Sequence, residues 1–272
     1  MPLVKTGDLV AAGRGVAAFN VITLEHAEAI VAGAEEAGTP VICQISENAV
    51  KFHGGRLGPI AAATAAVARA SSAEIALHLD HVTDLDLLRQ AADHDFGSIM
   101  YDGSKLEYAD NVARTAEAAA WAHERGLWVE AELGEVGGKD GAHAPGARTD
   151  PGEATAFVAA TGVDALAVAV GSSHAMTERT ARLDHALIAE LSAALPVPLV
   201  LHGSSGVPDD ELRRAVRGGM AKINIGTALN IAFTDAVRQA LPGQVDPRRY
   251  LAPARTAMAE VVAHFLKVVT IR

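Results

Sequence analysis

The chain has 272 residues, half of them apolar and 21% charged, with a formal net charge of −10. That length suits one large α/β-barrel domain, so a single domain over residues 1–272 is expected. The acid surplus argues against a nucleic-acid partner, since phosphate backbones are held by surplus Lys and Arg, and no apolar stretch approaches the ~20 residues of a membrane span.

Aromatic residues make up only 4% of the chain, so the core must be aliphatic. The lone Cys43 lies in an apolar run (VICQI) and excludes an internal disulfide. With no signal peptide at the N-terminus, a cytoplasmic location is expected.

Eight short apolar runs follow in order: Gly15–Asn20, Pro40–Ser46, Glu74–His81, Ser98–Asp102, Trp128–Gly134, Ala165–Gly171, Val197–His202 and Ala221–Gly226. Ala-rich helical stretches separate them. Alternating β and α implies a parallel sheet, and eight units in a chain of this size predict a closed (β/α)8, or TIM, barrel. The one long irregular segment, Glu135–Pro151, is rich in Gly and Pro and has the length of a functional lid or a disordered excursion. A helix from Thr227 and another from about Pro253 close the chain.

Barrel enzymes place their chemistry at the C-terminal ends of strands. Here those ends carry, in order, Asn20, Ser46, Asp80-His81, Asp102, Glu130 with Glu132, His174 just past strand six, His202, and Asn224 to Thr227. Three of the eleven histidines, His81, His174 and His202, thus converge from separate strands. Such a trio makes a zinc site with an open coordination position, or alternatively three separate hydrogen-bonded barrel-mouth histidines. Asp80 neighbours His81 and is placed for proton transfer, or alternatively caps the helix starting near Asp84. Strict alternation sends adjacent strand residues to opposite faces, so both reach the site only if the strand breaks its geometry there. Gly171-Ser172-Ser173 and Gly203-Ser204-Ser205-Gly206 suit backbone phosphate binding, with Asn224 and Thr227 beside them.

The motifs HLDH, ELGEVGG, AVGSSH, VLHGSSGVPD and KINIGT resemble the class II, metal-dependent fructose- and tagatose-bisphosphate aldolases over essentially the whole chain. The resemblance implies aldol cleavage of a ketose 1,6-bisphosphate, with one catalytic Zn2+ on His81, His174 and His202 and Asp80 as acid/base. It places Asp102 and Glu132 around the metal, in some members as a second or alternate cation site. It matches Gly203, Ser204, Ser205, Asn224, Ile225, Gly226 and Thr227 to dihydroxyacetone-phosphate contacts, and Ser46 to a serine near the same phosphate. Arg255, in LAPAR, resembles an arginine that reaches the other phosphate from a neighbouring subunit, which implies a homodimer or homotetramer. LAPAR also favours fructose over tagatose. The chain departs from the family at Ala175, where Gly is usual and a backbone contact survives the change. It departs again at Gly137-Gly138-Lys139-Asp140, where the mobile loop usually reads GG-x-E, so Asp140 takes the proton-shuttle position.

Rival readings are a Schiff-base aldolase on Lys222, the only strand lysine, a metal-dependent hydrolase, and a non-catalytic sugar-phosphate binder. The Schiff-base reading leaves three histidines without work, and hydrolases of this fold usually open with His-x-His where strand one ends in Phe19-Asn20. His26, His94, His123 and His185 are expected on helix surfaces, and His78 in the core or close behind the site.

Overall fold

The computed structural model describes residues 3–133 and 148–271. Asp140 and its neighbours in the Gly-Gly loop lie outside the described residues. Eight parallel strands close into a barrel in sequence order: β1 (Val16–Asn20), β2 (Val41–Ser46), β3 (Ile75–Val82), β4 (Ser98–Tyr101), β5 (Trp128–Glu132), β6 (Ala165–Ala167), β7 (Leu199–Leu201) and β8 (Met220–Ile225). β1 pairs with β8 through Val16↔Lys222 and Phe19↔Ile225, which completes the ring.

Helix α1 (Thr6–Ala11) precedes β1, and α2 (Leu24–Ala37) follows it. The β2–β3 crossover is split into α3 (Glu47–Phe52) and α4 (Leu57–Ala70). Then come α5 (Leu85–Arg89), α6 (Tyr108–His123), α7 (Pro151–Thr161), α8 (His185–Ala194) and α9 (Asp209–Arg217), one per crossover. The chain closes with α10 (Thr227–Ala240) and α11 (Pro247–Val269). The last helix begins six residues before Pro253: Asp246 accepts from Arg248 N at its start and Pro247 occupies the first turn, where a missing N–H costs nothing.

All eight sequence runs form strands, but the sixth stops at Ala167 rather than Gly171. Beyond it, Ala169 exchanges hydrogen bonds with Thr149, which occupy its N–H and carbonyl.

Alternation along the strands sorts two layers. Ala17, Phe19, Cys43, Ile45, Leu77 and Leu79 face the helices and belong to the large core between sheet and helix ring. Val16, Ala18, Ile42 and Ala76 face inward and pack with Leu9 of α1 as a separate small cluster. Helix α1 therefore plugs the N-terminal end of the barrel. Above that floor the inward positions turn polar: Gln44, His78, Ser98, Glu130 and Lys222 are all at most 1% exposed. A buried polar layer of this kind is costly unless its members satisfy one another, and that requirement shapes the site above it.

Candidate active site

The C-terminal mouth holds a cavity of about 1430 Å³. Asn20, Ser46, Asp80, His81, Asp102, His174, Ala175, Gly203, Ser205, Asn224, Gly226 and Thr227 all line it, so most strand-end residues picked from the sequence meet there.

The three histidines cluster. Ring centroids of His81 and His202 lie 4.7 Å apart, those of His81 and His174 5.3 Å, and those of His174 and His202 5.8 Å. One ring nitrogen from each falls within 4.8 Å of the others, and a second group with the same spread combines His81, Asp102 and Glu132.

Bringing Asp80 and His81 to one cavity requires the strand to break, and it does. His81 adopts φ 47°, and the β3–β4 register shifts between Leu79 and Val82. A non-Gly residue in the left-handed region stores about 1–3 kcal/mol, and such strain is typical of functional positions. The helix-capping alternative for Asp80 falls away, because Asp84 caps α5 by accepting from Asp86 N. Asp80 is instead buried, and Gln44 Nε2 donates to its Oδ2 at 3.2 Å.

Two histidines are oriented by carboxylates. His81 Nδ1 lies 2.8 Å from Asp102 Oδ2, while its Nε2 is buried without a hydrogen bond. His202 Nε2 lies 2.8 Å from Glu130 Oε1, and its Nδ1 is likewise buried without one, 3.5 Å from Glu132 Oε2. Each ring thus spends one nitrogen on a carboxylate and turns the other into the cluster, the arrangement by which carboxylates fix metal-binding imidazoles. Asp102, which also accepts from Ser104 N and Oγ, serves His81 in this arrangement.

Electrostatics give the same message. Burial opposes a charge on His81, yet Asp80 and Asp102 overcome it and push the ring up to about 10. Burial likewise opposes charge on His202, and Glu130 and Glu132 raise it. Burial raises Glu132, whereas for Glu130 the effect of burial is outweighed by Lys222 and His202, which hold it well below the usual range. His78, deep in the barrel, is lowered to about 3 by burial and by Lys222. A pocket that draws protons onto its imidazoles demands positive charge, and a divalent cation supplies it in exchange for those protons. The donor set therefore fits zinc.

The β7–β8 side of the mouth is built largely from backbone. The 14-residue α10 starts at the cavity, with Gly226 at its N-cap and Thr227 and Asn230 lining the mouth. Gly203 has φ 66°, and a Cβ there would sit 2.5 Å from Ser173 O, so only glycine lets the loops after β6 and β7 meet. Ser205 Oγ accepts from Ala228 N and ties the second loop to α10. Ser204 is buried and donates to Leu201 O. Ile225 is fully buried in β8 beneath the mouth. Ser46 lines the cavity while its Oγ caps α3 by accepting from Ala49 N.

Arg255 is not brought to this mouth. It lies on the outer wall, on α11, paired with Glu28 of α2. Lys222 lies wholly inside the barrel, its ammonium 2.8 Å from Glu130 Oε2 and donating to Asn224 Oδ1. A lysine so engaged is not poised for Schiff-base attack. Of the histidines expected on surfaces, His26 is buried against Phe233 and bonded to Asn230, and His185 is paired with Glu211. The sequence reading passed over Lys51, Lys105 and Arg114, which line the rim. They sit on helices and loops outside the strand-end pattern, so no spacing marked them.

The sequence profile described as fructose-bisphosphate aldolase class-II matches residues 8–271. The chain belongs to the class-II fructose-bisphosphate aldolase family. It is therefore a lyase of the aldolase type, as the resemblance implied. A fructose-bisphosphate aldolase of Thermus caldophilus is 38% identical, with 93% of this chain and 92% of that one covered. A probable fructose-bisphosphate aldolase of Bacillus subtilis (strain 168) is also 38% identical, covering 96% of this chain and 95% of the relative. Among solved structures, the YdjI aldolase from Escherichia coli K12 superposes with a TM-score of 0.84 at 30% identity, covering 96% and 94% of the two chains. Among the described residues, no helix is long and apolar enough to cross a membrane.

Proposed function

We propose that this class-II aldolase cleaves fructose 1,6-bisphosphate reversibly to dihydroxyacetone phosphate and glyceraldehyde 3-phosphate, with Zn2+ as its resident metal. The observation that carries the reading is the trio of His81, His174 and His202 beside buried Asp80, whose Oδ1 has no hydrogen-bond partner. The relatives' names supply the substrate preference.

His81, His174 and His202 would hold the zinc, which when bound supplies Lewis-acid stabilisation of charge developing on the substrate's carbonyl oxygen. Asp80 takes the proton of the C4 hydroxyl as the C3–C4 bond breaks. C4 becomes the aldehyde carbon, and the bonding pair is left on the three-carbon fragment as an enediolate. Gln44 fixes Oδ2 of Asp80 and leaves Oδ1 for that proton. Asn224 Nδ2, which is buried and without a partner, would donate to the enediolate oxygens. The N-terminus of α10 and the Gly203–Ser205 turn hold the C1 phosphate, converting binding energy into orientation. Asp140, by its position in the sequence, returns a proton to C3.

The other phosphate is received at the rim, by Arg255 of a second copy with Lys51, Lys105 and Arg114 supplying a positive edge in an otherwise acidic protein. The assembly is accordingly a homodimer or homotetramer of single-domain subunits spanning residues 1–272, acting in the cytoplasm. The His81, Asp102 and Glu132 group offers a second or alternate position for a metal or monovalent cation. A coupled assay on fructose and tagatose 1,6-bisphosphates, before and after chelator dialysis and zinc addition, tests the reading. Cleavage of fructose 1,6-bisphosphate that vanishes on dialysis and returns with zinc supports it, whereas undiminished turnover in metal-free protein refutes it.

A further inference from the structure

The buried Lys222–Glu130 pair has no part in bond making, yet it touches both halves of the site. Glu130 Oε1 meets His202 Nε2 at 2.8 Å, Glu130 Oε2 meets Lys222 Nζ at 2.8 Å, and Lys222 Nζ donates to Asn224 Oδ1 at 2.8 Å. Glu130 and Lys222 are 0% exposed, His202 is 2% and Asn224 6%. An isolated buried ion pair is seldom worth its desolvation, so its presence beneath a catalytic mouth calls for a reason beyond stability.

We infer that Lys222 and Glu130 are positioning residues that set the hydrogen-bond polarity of the site: Glu130 fixes the proton of His202 on Nε2, and Lys222 turns the amide nitrogen of Asn224 towards the substrate. The inference rests on the metal reading proposed above. An ammonium only donates and an ionised carboxylate only accepts. Asn224 must therefore present its oxygen to Lys222, which leaves Nδ2 facing the mouth, where it is buried and without a partner. A neutral His202 carries one proton, and two carboxylates compete for it: Glu130 at 2.8 Å from Nε2 and Glu132 at 3.5 Å from Nδ1. Only the proton on Nε2 frees the Nδ1 lone pair for a cation. The alternation of β8 puts Lys222 and Asn224 on the same inward face, so one lysine reaches both partners.

The test turns on Glu130→Gln. Lys222 would take the amide oxygen of the new side chain, turning its NH2 towards His202 Nε2. That reverses the demand on the ring and places its proton on Nδ1. Zinc affinity, measured by competition with a chromogenic chelator, should fall about 10–100-fold. Lys222→Gln combined with Glu130→Gln makes both amides free to flip, so the double variant should bind zinc more tightly than Glu130→Gln alone. A merely structural role predicts the opposite order, with the double variant worst. Separately, Lys222→Gln should weaken dihydroxyacetone phosphate binding about tenfold while leaving inorganic phosphate binding within twofold.

Zinc-loaded wild-type protein keeps the question decidable if a variant fails to fold. Histidine 15N NMR should show the His202 proton on Nε2, and a proton on Nδ1 would overturn the inference. So would a Glu130→Gln protein that binds zinc within twofold of wild type. Wild-type protein that binds no zinc at all would instead sink the metal reading itself.

Discussion

Asp102 Oδ2 lies 2.8 Å from Nδ1 of His81, and that contact holds a ring whose backbone sits in the left-handed region at φ 47°. A strained backbone does not by itself fix a side-chain rotamer. The Asp102 carboxylate does so, and Ser104 holds the carboxylate in turn. Asp102→Ala should weaken zinc binding about 10–100-fold, the usual cost of losing such a partner. Equilibrium chelator competition measures this, and an unchanged zinc affinity would show that backbone geometry alone positions His81.

Asp80 stands beside His81, a proposed zinc ligand, but spends its oxygens on Gln44 and on the open mouth. Asp80→Ala should lower kcat by about 10²–10⁴-fold, the range for a lost general acid/base. Zinc content by elemental analysis should stay at the wild-type level. A variant that loses its zinc would assign Asp80 to the metal shell instead.

Most of this site was legible because barrel topology delivers every strand end to one place. His81, His174 and His202 needed only strand assignment, and Asp80 needed one exception to alternation, which the φ of His81 provides. Other features were hidden for physical reasons. Glu130 on β5 and its partners His202 and Lys222 lie far apart in sequence, so only barrel closure and β-register bring them together. Helix α1 is short, and its Leu9 faces a barrel floor that no local pattern announces. His26 was expected on a helix surface, whereas its ring stacks on Phe233 of α10, a contact made across the fold that its own helix does not reveal.

The Gly-Gly loop carries a testable departure from its family. If Asp140 moves the substrate proton, Asp140→Asn should slow solvent deuterium exchange into dihydroxyacetone phosphate by about 10²-fold or more, with phosphate affinity near wild type. Asp140→Glu should be tolerated. NMR follows the exchange, and an undiminished rate in the Asn variant would transfer the role to another group such as His143 or Glu135.

Cys43 is 0% exposed in β2, and burial pushes its thiol up to about 12. The thiolate is the nucleophile, so this side chain should be inert at neutral pH. Iodoacetamide should leave native protein unmodified by mass spectrometry and add one label after denaturation. Labelling of native protein at a rate near that of free cysteine would mean that β2 opens readily.

Ala175 directly follows His174, a proposed zinc ligand, and has φ 57°. An L-residue pays about 1–2 kcal/mol there, whereas glycine pays little in the folded state but loses more entropy on folding, roughly 0.4–1 kcal/mol. The two effects nearly offset, so Ala175→Gly should melt at the wild-type temperature or up to a few degrees above it. A β-branched side chain has no such compensation. Ala175→Val should therefore melt several degrees lower, and because the loop carries His174, it should also bind zinc more weakly. The order Gly at or above Ala, and Ala well above Val, should appear in both thermal melts and chelator titrations. Equal melting of all three variants would mean that residue 175 does not hold the left-handed conformation in solution.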